Sequence, residues 1–100
     1  MNYDPLIKDL ELKVEEVSEK YEKLKGELQE YHDHEINDHA QRSMKELERL
    51  VRDIHDQYAQ VHEKETLNDQ KLSKVEKTIY SIIRSFNRAY ASTASNFKSY

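Results

Sequence analysis

The apolar residues of this chain recur at alternating gaps of three and four positions, and this spacing restricts the fold more than any other feature. The first such series runs through Ile7, Leu10, Val14, Val17, Tyr21, Leu24, Leu28 and Tyr31. A repeat of this kind places one narrow apolar stripe on an α-helix and leaves charged residues on the rest of its surface. Asn2 or Asp4 can cap the helix, and Pro5 suits its first turn. The pattern therefore predicts a first helix over about residues 5–32.

A second apolar series, in a new phase, predicts a second helix over about residues 41–63. Its positions are Met44, Leu47, Val51, Ile54, Tyr58 and Val61. The segment between the two series, HDHEINDH, is polar and offers turn and cap residues at Asn37 and Asp38. We predict that the first connection lies there, at about residues 33–40.

The stretch from Leu72 to Tyr90 is the only long segment that is more apolar than charged. One apolar row contains Leu72, Val75, Ile79, Ile82 and Phe86, and a second row beside it contains Ile83, Tyr90 and Phe97. A helix with so wide an apolar face must cover it with another element. The stretch predicts a third helix over about residues 69–92, and the structure of residues 93–100 stays open.

The connection between the second and third series allows two architectures, because both series share one helical phase across HEKETLNDQK. A turn near residues 63–69, capped by Asn68 or Asp69, gives an all-α antiparallel bundle of three heptad-patterned helices. A single helix over residues 41–92 gives instead a two-helix hairpin that dimerises. The matched helix lengths favour the bundle, whereas the absence of Gly and Pro from residues 63–70 argues against a turn. In either case we predict a single helical domain over residues 1–100.

The charge of the protein is −4 overall, but it is unevenly distributed along the chain. Residues 1–69 carry 19 acidic and 10 basic residues, a net charge of −9, whereas residues 70–100 carry one acid and six bases, a net charge of +5. The apolar third helix is therefore also the basic one. Its charge can be neutralised by acidic neighbours within the molecule, or it can form a docking surface for an acidic partner.

Several features of the sequence limit location and chemistry. The chain has no Cys, which fits a reducing compartment. Its N-terminus lacks the basic-then-apolar plan of a signal peptide, and no run approaches the ~18 apolar residues that cross a bilayer. We expect a cytoplasmic protein, or one that is exported by a route without a cleaved signal peptide.

The sequence does not favour an enzyme. No nucleophile stands beside a base in a recognisable pattern, and no glycine-rich loop could hold a phosphate, so we expect no cofactor and no small-molecule substrate. One polar stripe of the third helix resembles a phosphate-binding surface, through Lys74, Lys77, Ser81, Arg84 and Arg88. Because the rest of the protein is acidic, we do not expect it to bind nucleic acid or a membrane surface.

A histidine-rich segment supplies an alternative, metal- or pH-responsive function. Imidazole and carboxylate groups suit zinc, iron or nickel, and the candidate ligands are His32, His34, Asp38 and His39. On a helix His34 and Asp38 would share a face. The spacing matches no established metal motif, and a polar connection between helices explains the same residues.

In length, helical build and absence of Cys, the chain resembles the small helical partners of specialised bacterial secretion systems, the ESAT-6-like group. The Trp-x-Gly turn of that group is absent, and residues 34–37 read His-Glu-Ile-Asn instead. A Tyr-x-x-x-Glu match exists at Tyr31 and Glu35, in the connection and not in the C-terminal tail. The resemblance implies a role as a helical partner protein.

These features together predict a non-enzymatic helical interaction module, such as an adaptor, a chaperone or a secretion-type partner. We expect it to bind another helical protein, or a copy of itself, through the C-terminal helix. Apolar burial would supply affinity, and the charged edges would set orientation. The predicted partner-binding residues are Ile79, Ile83, Phe86, Tyr90, Phe97, Arg84 and Arg88.

Overall fold

The computed structural model describes residues 3–30 and 38–98, with side chains for residues 3–28 and 41–95. Helix α1 spans Asp4–Glu30 and α2 spans Asp38–Ala59. A short 3-10 turn, Gln60–His62, extends α2, and α3 spans Asp69–Lys98. The helices pack against one another, and the described residues contain no strand, so the predicted all-α three-helix bundle is confirmed.

The three helices run up, down and up. The Tyr3 hydroxyl donates a hydrogen bond of 2.8 Å to the Asp69 carboxylate, which places the starts of α1 and α3 together. Further along both helices, Lys20 Nζ lies 6.0 Å from the ring centroid of Tyr90, so α1 and α3 are parallel. Helix α2 is antiparallel to both. The resulting bundle is elongated, with extents of 53 × 18 × 17 Å.

One continuous apolar core fills the bundle, and the predicted heptad positions supply most of it, together with Leu50 from beside the second series. Its buried residues are Leu10, Val14, Val17, Tyr21, Leu24, Met44, Leu47, Leu50, Ile54, Val61, Leu72, Val75, Ile79 and Phe86. A stripe at gaps of three and four is enough here because each helix contacts only two neighbours. Toward the C-terminal end of α3 the core row continues with Thr93, whose hydroxyl donates to the Ala89 carbonyl oxygen at 2.7 Å.

The chain turns between α2 and α3, so the alternative of one continuous helix over residues 41–92 is wrong. The 3-10 turn tightens the end of α2, and Glu63 leaves helical geometry with φ −81° and ψ 75°. The side chain of Asn68 then accepts the backbone N–H of Lys71 at 2.8 Å and so caps α3. No described residue has a positive φ, which explains how the chain reverses without Gly.

The ends of the helices differ from the predicted bounds by a few residues. Helix α1 ends at Glu30, α2 begins at Asp38, and the predicted first connection falls largely on residues outside those described. Helix α3 continues to Lys98, six residues past the predicted end. In the part of the chain that the structure describes, no helix is both long and apolar enough to cross a bilayer.

Candidate partner-binding surface on the third helix

Two of the predicted binding residues are core residues. Ile79 and Phe86 both have an exposed fraction of 0%, so neither can contact a partner while the bundle is intact. The sequence shows two apolar rows on α3, and residues of both rows were assigned to the binding surface. Only packing against α1 and α2 distinguishes the row that is buried from the one at the edge.

The second apolar row lies at the edge of the core. Ile83 and Tyr90 are half-buried and pack against the core cluster. The Tyr90 ring stacks on Phe86, with 5.8 Å between centroids, and lies beside Lys20 of α1. This row therefore borders α1 and keeps only part of its surface open to solvent. Phe97 belongs to the end of α3, and its side chain is outside those described.

The outward face of α3, which we call the basic face, consists of exposed residues at gaps of three and four: Lys74, Lys77, Ser81, Arg84 and Arg88. Among residues 3–28 and 41–95, none of its four cations makes an ion pair. The arginines of α2 differ, since Arg49 contacts Glu46 and Asp53 and Arg52 contacts Glu48. The basic face thus presents positive charges that no described carboxylate of the same molecule pairs with.

The sequence of α3 explains why these cations have no acidic partner on their own helix. Ion pairs on a helix surface form between residues three or four positions apart. After Asp69 the helix contains a single acid, Glu76, and it stands at neither spacing from any cation of the basic face. Several cations have another cation at that spacing instead, as in Lys74 with Lys77 and Arg84 with Arg88. Each such like-charged pair costs a few tenths of a kcal/mol, and an acidic ligand would offset that cost.

A second charged surface lies on α1, and it was not among the predicted site residues. This acidic stripe contains four exposed glutamates, at gaps of four, four and three: Glu11, Glu15, Glu19 and Glu22. None of them makes an ion pair within the described residues. The spacing of these glutamates is visible in the sequence. Acidic helix surfaces are common, however, so the stripe by itself did not indicate a binding site.

The electrostatic influence of α1 is visible in two tyrosines at the boundary with α2. Burial, and then the charges of Glu11 and Glu15, raise the pKa of Tyr58. Burial, and then the charges of Glu48 and Glu22, raise the pKa of Tyr21. Carboxylates of α1 and α2 thus act on both tyrosines in the same direction as burial does.

The predicted metal ligands fall where the structure gives no side-chain geometry. His32 and His34 lie outside the described residues, and only the backbone of Asp38 and His39 is described, at the start of α2. Within the described part of the chain, no group of three or more His, Asp or Glu residues could hold a metal ion. The metal hypothesis stays a prediction, and zinc titration followed by thermal melting tests it.

The described histidines of the bundle have structural contacts. His55 Nε2 and Ser18 Oγ share a hydrogen bond of 2.8 Å, which links α2 to α1. His62 packs edge-on against Tyr58, with 4.9 Å between ring centroids. Both contacts join or terminate helices, and the first sets the His55 imidazole beside the Ser18 hydroxyl at an exposed site between α1 and α2.

The fold and surface define the class of this protein as a three-helix bundle with a net negative charge on α1 and a net positive charge on α3. No family model, no curated protein and no solved structure matches the chain.

Proposed function

We propose that this protein is a non-enzymatic helical interaction module that binds an acidic helical protein through the basic face of α3. The observation that supports this proposal is the set of four exposed cations on that face without a carboxylate partner among the described residues. A module of this kind would act as an adaptor, a chaperone or a secretion-type partner.

Charge and apolar surface would contribute differently to such a complex. The cations steer the encounter with an acidic partner and set its orientation. The half-buried edge of α3, with Tyr80, Ile83 and Tyr90, offers apolar area that a partner helix can cover. Each Å2 of apolar surface removed from water contributes about 25 cal/mol, from which the entropic cost of association must be subtracted. Ser81, between Lys77 and Arg84, can donate or accept a hydrogen bond.

Site-specific photo-crosslinking in the native host tests this proposal. A photoreactive amino acid at Ser81, the exposed centre of the basic face, should form a covalent adduct with a helical protein. The same group at Ala59, an exposed position near the end of α2, is the matched control and should not. Adding Arg84→Glu and Arg88→Glu should abolish the adduct at position 81. The proposal would be contradicted if both positions gave equal adducts or if neither gave one. An adduct at position 81 that survives the two substitutions would also contradict it.

A further inference from the structure

We infer that a second copy of this chain occupies the basic face of α3, and that it docks there through the acidic stripe of its α1. This inference rests on the proposed function and names the partner. Each copy presents both surfaces, because in each the stripe and the basic face lie on different helices and are exposed.

The two surfaces match in charge and length. The acidic stripe extends from Glu11 to Glu22, and the main part of the basic face extends from Lys77 to Arg88, an equal number of residues. At 1.5 Å per residue each surface is roughly 16 Å long. The acidic stripe of one copy can therefore lie against the main part of the basic face of another copy from end to end.

The spacing of the charges also matches when α1 and α3 of different copies lie antiparallel. With Arg88 opposite Glu11, the register brings Arg84 opposite Glu15 and Lys77 opposite Glu22. Glu19 then lies opposite Tyr80, one position from Ser81, and a hydroxyl at either position can donate to its carboxylate. The antiparallel direction also sets opposite ends of the two helix dipoles side by side.

Apolar and small residues beside the charges favour close approach of the two helices. Leu12, with an exposed fraction of 55%, lies next to the acidic stripe, and the half-buried Tyr80 lies next to the basic face. Gly26 continues the stripe one turn beyond Glu22, and a Cβ built there would meet nothing within 4 Å. Contact would thus cover an exposed leucine in addition to pairing charges.

The two surfaces are different, so the contact is heterologous, and this determines the form of the assembly. A heterologous contact generates a ring or an open chain of copies and does not stop at a two-fold dimer. A symmetric contact between two α3 helices would instead bring cations against cations, which is unfavourable. We therefore expect a range of sizes that grows with concentration.

Sedimentation velocity and equilibrium of the full chain test this inference. The weight-average mass should rise from the 12.0 kDa of one chain by about two-fold or more as concentration increases to near millimolar. It should be larger in about 0.02 M NaCl than in about 0.5 M NaCl, because salt screens contacts between exposed charges.

Charge reversals identify the surfaces. R84E with R88E, or E11K with E15K at the positions opposite them, should each abolish self-association. Mixing the two variants should restore it, and so should combining all four substitutions in one chain. The control is R42E with K45E, which changes the net charge as much as the α3 reversal does, at exposed positions of α2. It should still associate, and circular dichroism should show all variants helical.

A wild-type chain that stays at 12.0 kDa under all conditions would overturn the inference. So would association that persists in either reversed variant, or a mixture of the two variants that stays monomeric. The proposed function is judged separately. A cross-link from Ser81 to a different helical protein, without self-association, would leave the proposed function standing and remove this inference.

Discussion

Lys71 shows how single residues replace the Gly or Pro that the α2–α3 connection lacks. Its ammonium group donates to the Glu63 carboxylate at 2.9 Å and to the Thr66 hydroxyl at 2.6 Å. The Thr66 hydroxyl in turn donates to the Glu63 carbonyl oxygen at 3.2 Å. Three ordinary side chains thus hold the chain reversal, and the sequence pattern did not single out Glu63 or Lys71 because they are common polar residues.

Replacing Lys71 by Met should change the titration of Glu63. The hydrogen bond and charge of Lys71 hold the pKa of the Glu63 carboxyl below its ordinary value. A carboxyl whose pKa is lower in the folded than in the unfolded state adds stability above its unfolded pKa. That stability is lost as pH falls through the folded pKa. In Lys71→Met, NMR titration should show the Glu63 pKa returning upward, and the melting temperature should depend less on pH in the acidic range.

Lys74→Met is the matched control for this experiment, because Lys74 is exposed, one helical turn away, and makes no ion pair in the described part of the chain. It should leave the Glu63 pKa where it is. An unchanged Glu63 pKa in Lys71→Met would show that the contact does not persist in solution.

At the scale of the element, α3 combines a core face, an edge and a charged face on one helix. Phe86 is fully buried, Ile83 is half-buried, and Arg88 is exposed. Because these three residues lie within two turns, the roles of the faces can be separated by substitution. The sequence predicted the helix and its two apolar rows, but it assigned residues of both rows to a binding surface.

Alanine substitutions along α3 should therefore have graded effects on stability. Phe86→Ala should lower the free energy of unfolding by about 3–5 kcal/mol, because it leaves a cavity in a packed core. Ile83→Ala should cost less, and Arg88→Ala should stay within about 0.5 kcal/mol. Urea denaturation followed by circular dichroism measures all three. A loss for Ile83→Ala equal to that for Phe86→Ala would place Ile83 in the core and not at its edge.

At the scale of the whole molecule, the protein is long and thin. The radius of gyration of its Cα atoms is 16.0 Å, whereas a compact chain of this length has about 13 Å. Three long helices side by side produce this shape and expose most of each helix to solvent. A bundle that exposes so much helix surface has room for separate acidic and basic faces, which is the property on which the proposed function depends.

Small-angle X-ray scattering should give a radius of gyration close to 16.0 Å and a maximum dimension near 53 Å, apart from hydration. High salt is used because it would suppress the proposed self-association. A continuous helix over residues 41–92 would be roughly 78 Å long at 1.5 Å per residue. A maximum dimension near that length would contradict the turn at residues 63–68.

The sequence by itself determined the helical class and most of the core, because periodicity fixes which residues share a face of a helix. Leu10, Val14 and Leu47, for example, are buried as their spacing predicted. Even the imbalance of charge between α3 and the rest of the chain was readable from composition.

The tertiary structure alone decided what covers each face. The shared phase of the second and third series allowed one helix or two, and only the contacts of Glu63, Thr66 and Lys71 settle the turn. Likewise, spacing excluded partners for Arg84 and Arg88 on α3 itself, but it could not tell that Phe86 would be enclosed. Nor could it tell that no described carboxylate of another helix would reach the two arginines. The physical reason is that periodicity describes one helix, whereas burial and ion pairing depend on the distances between helices.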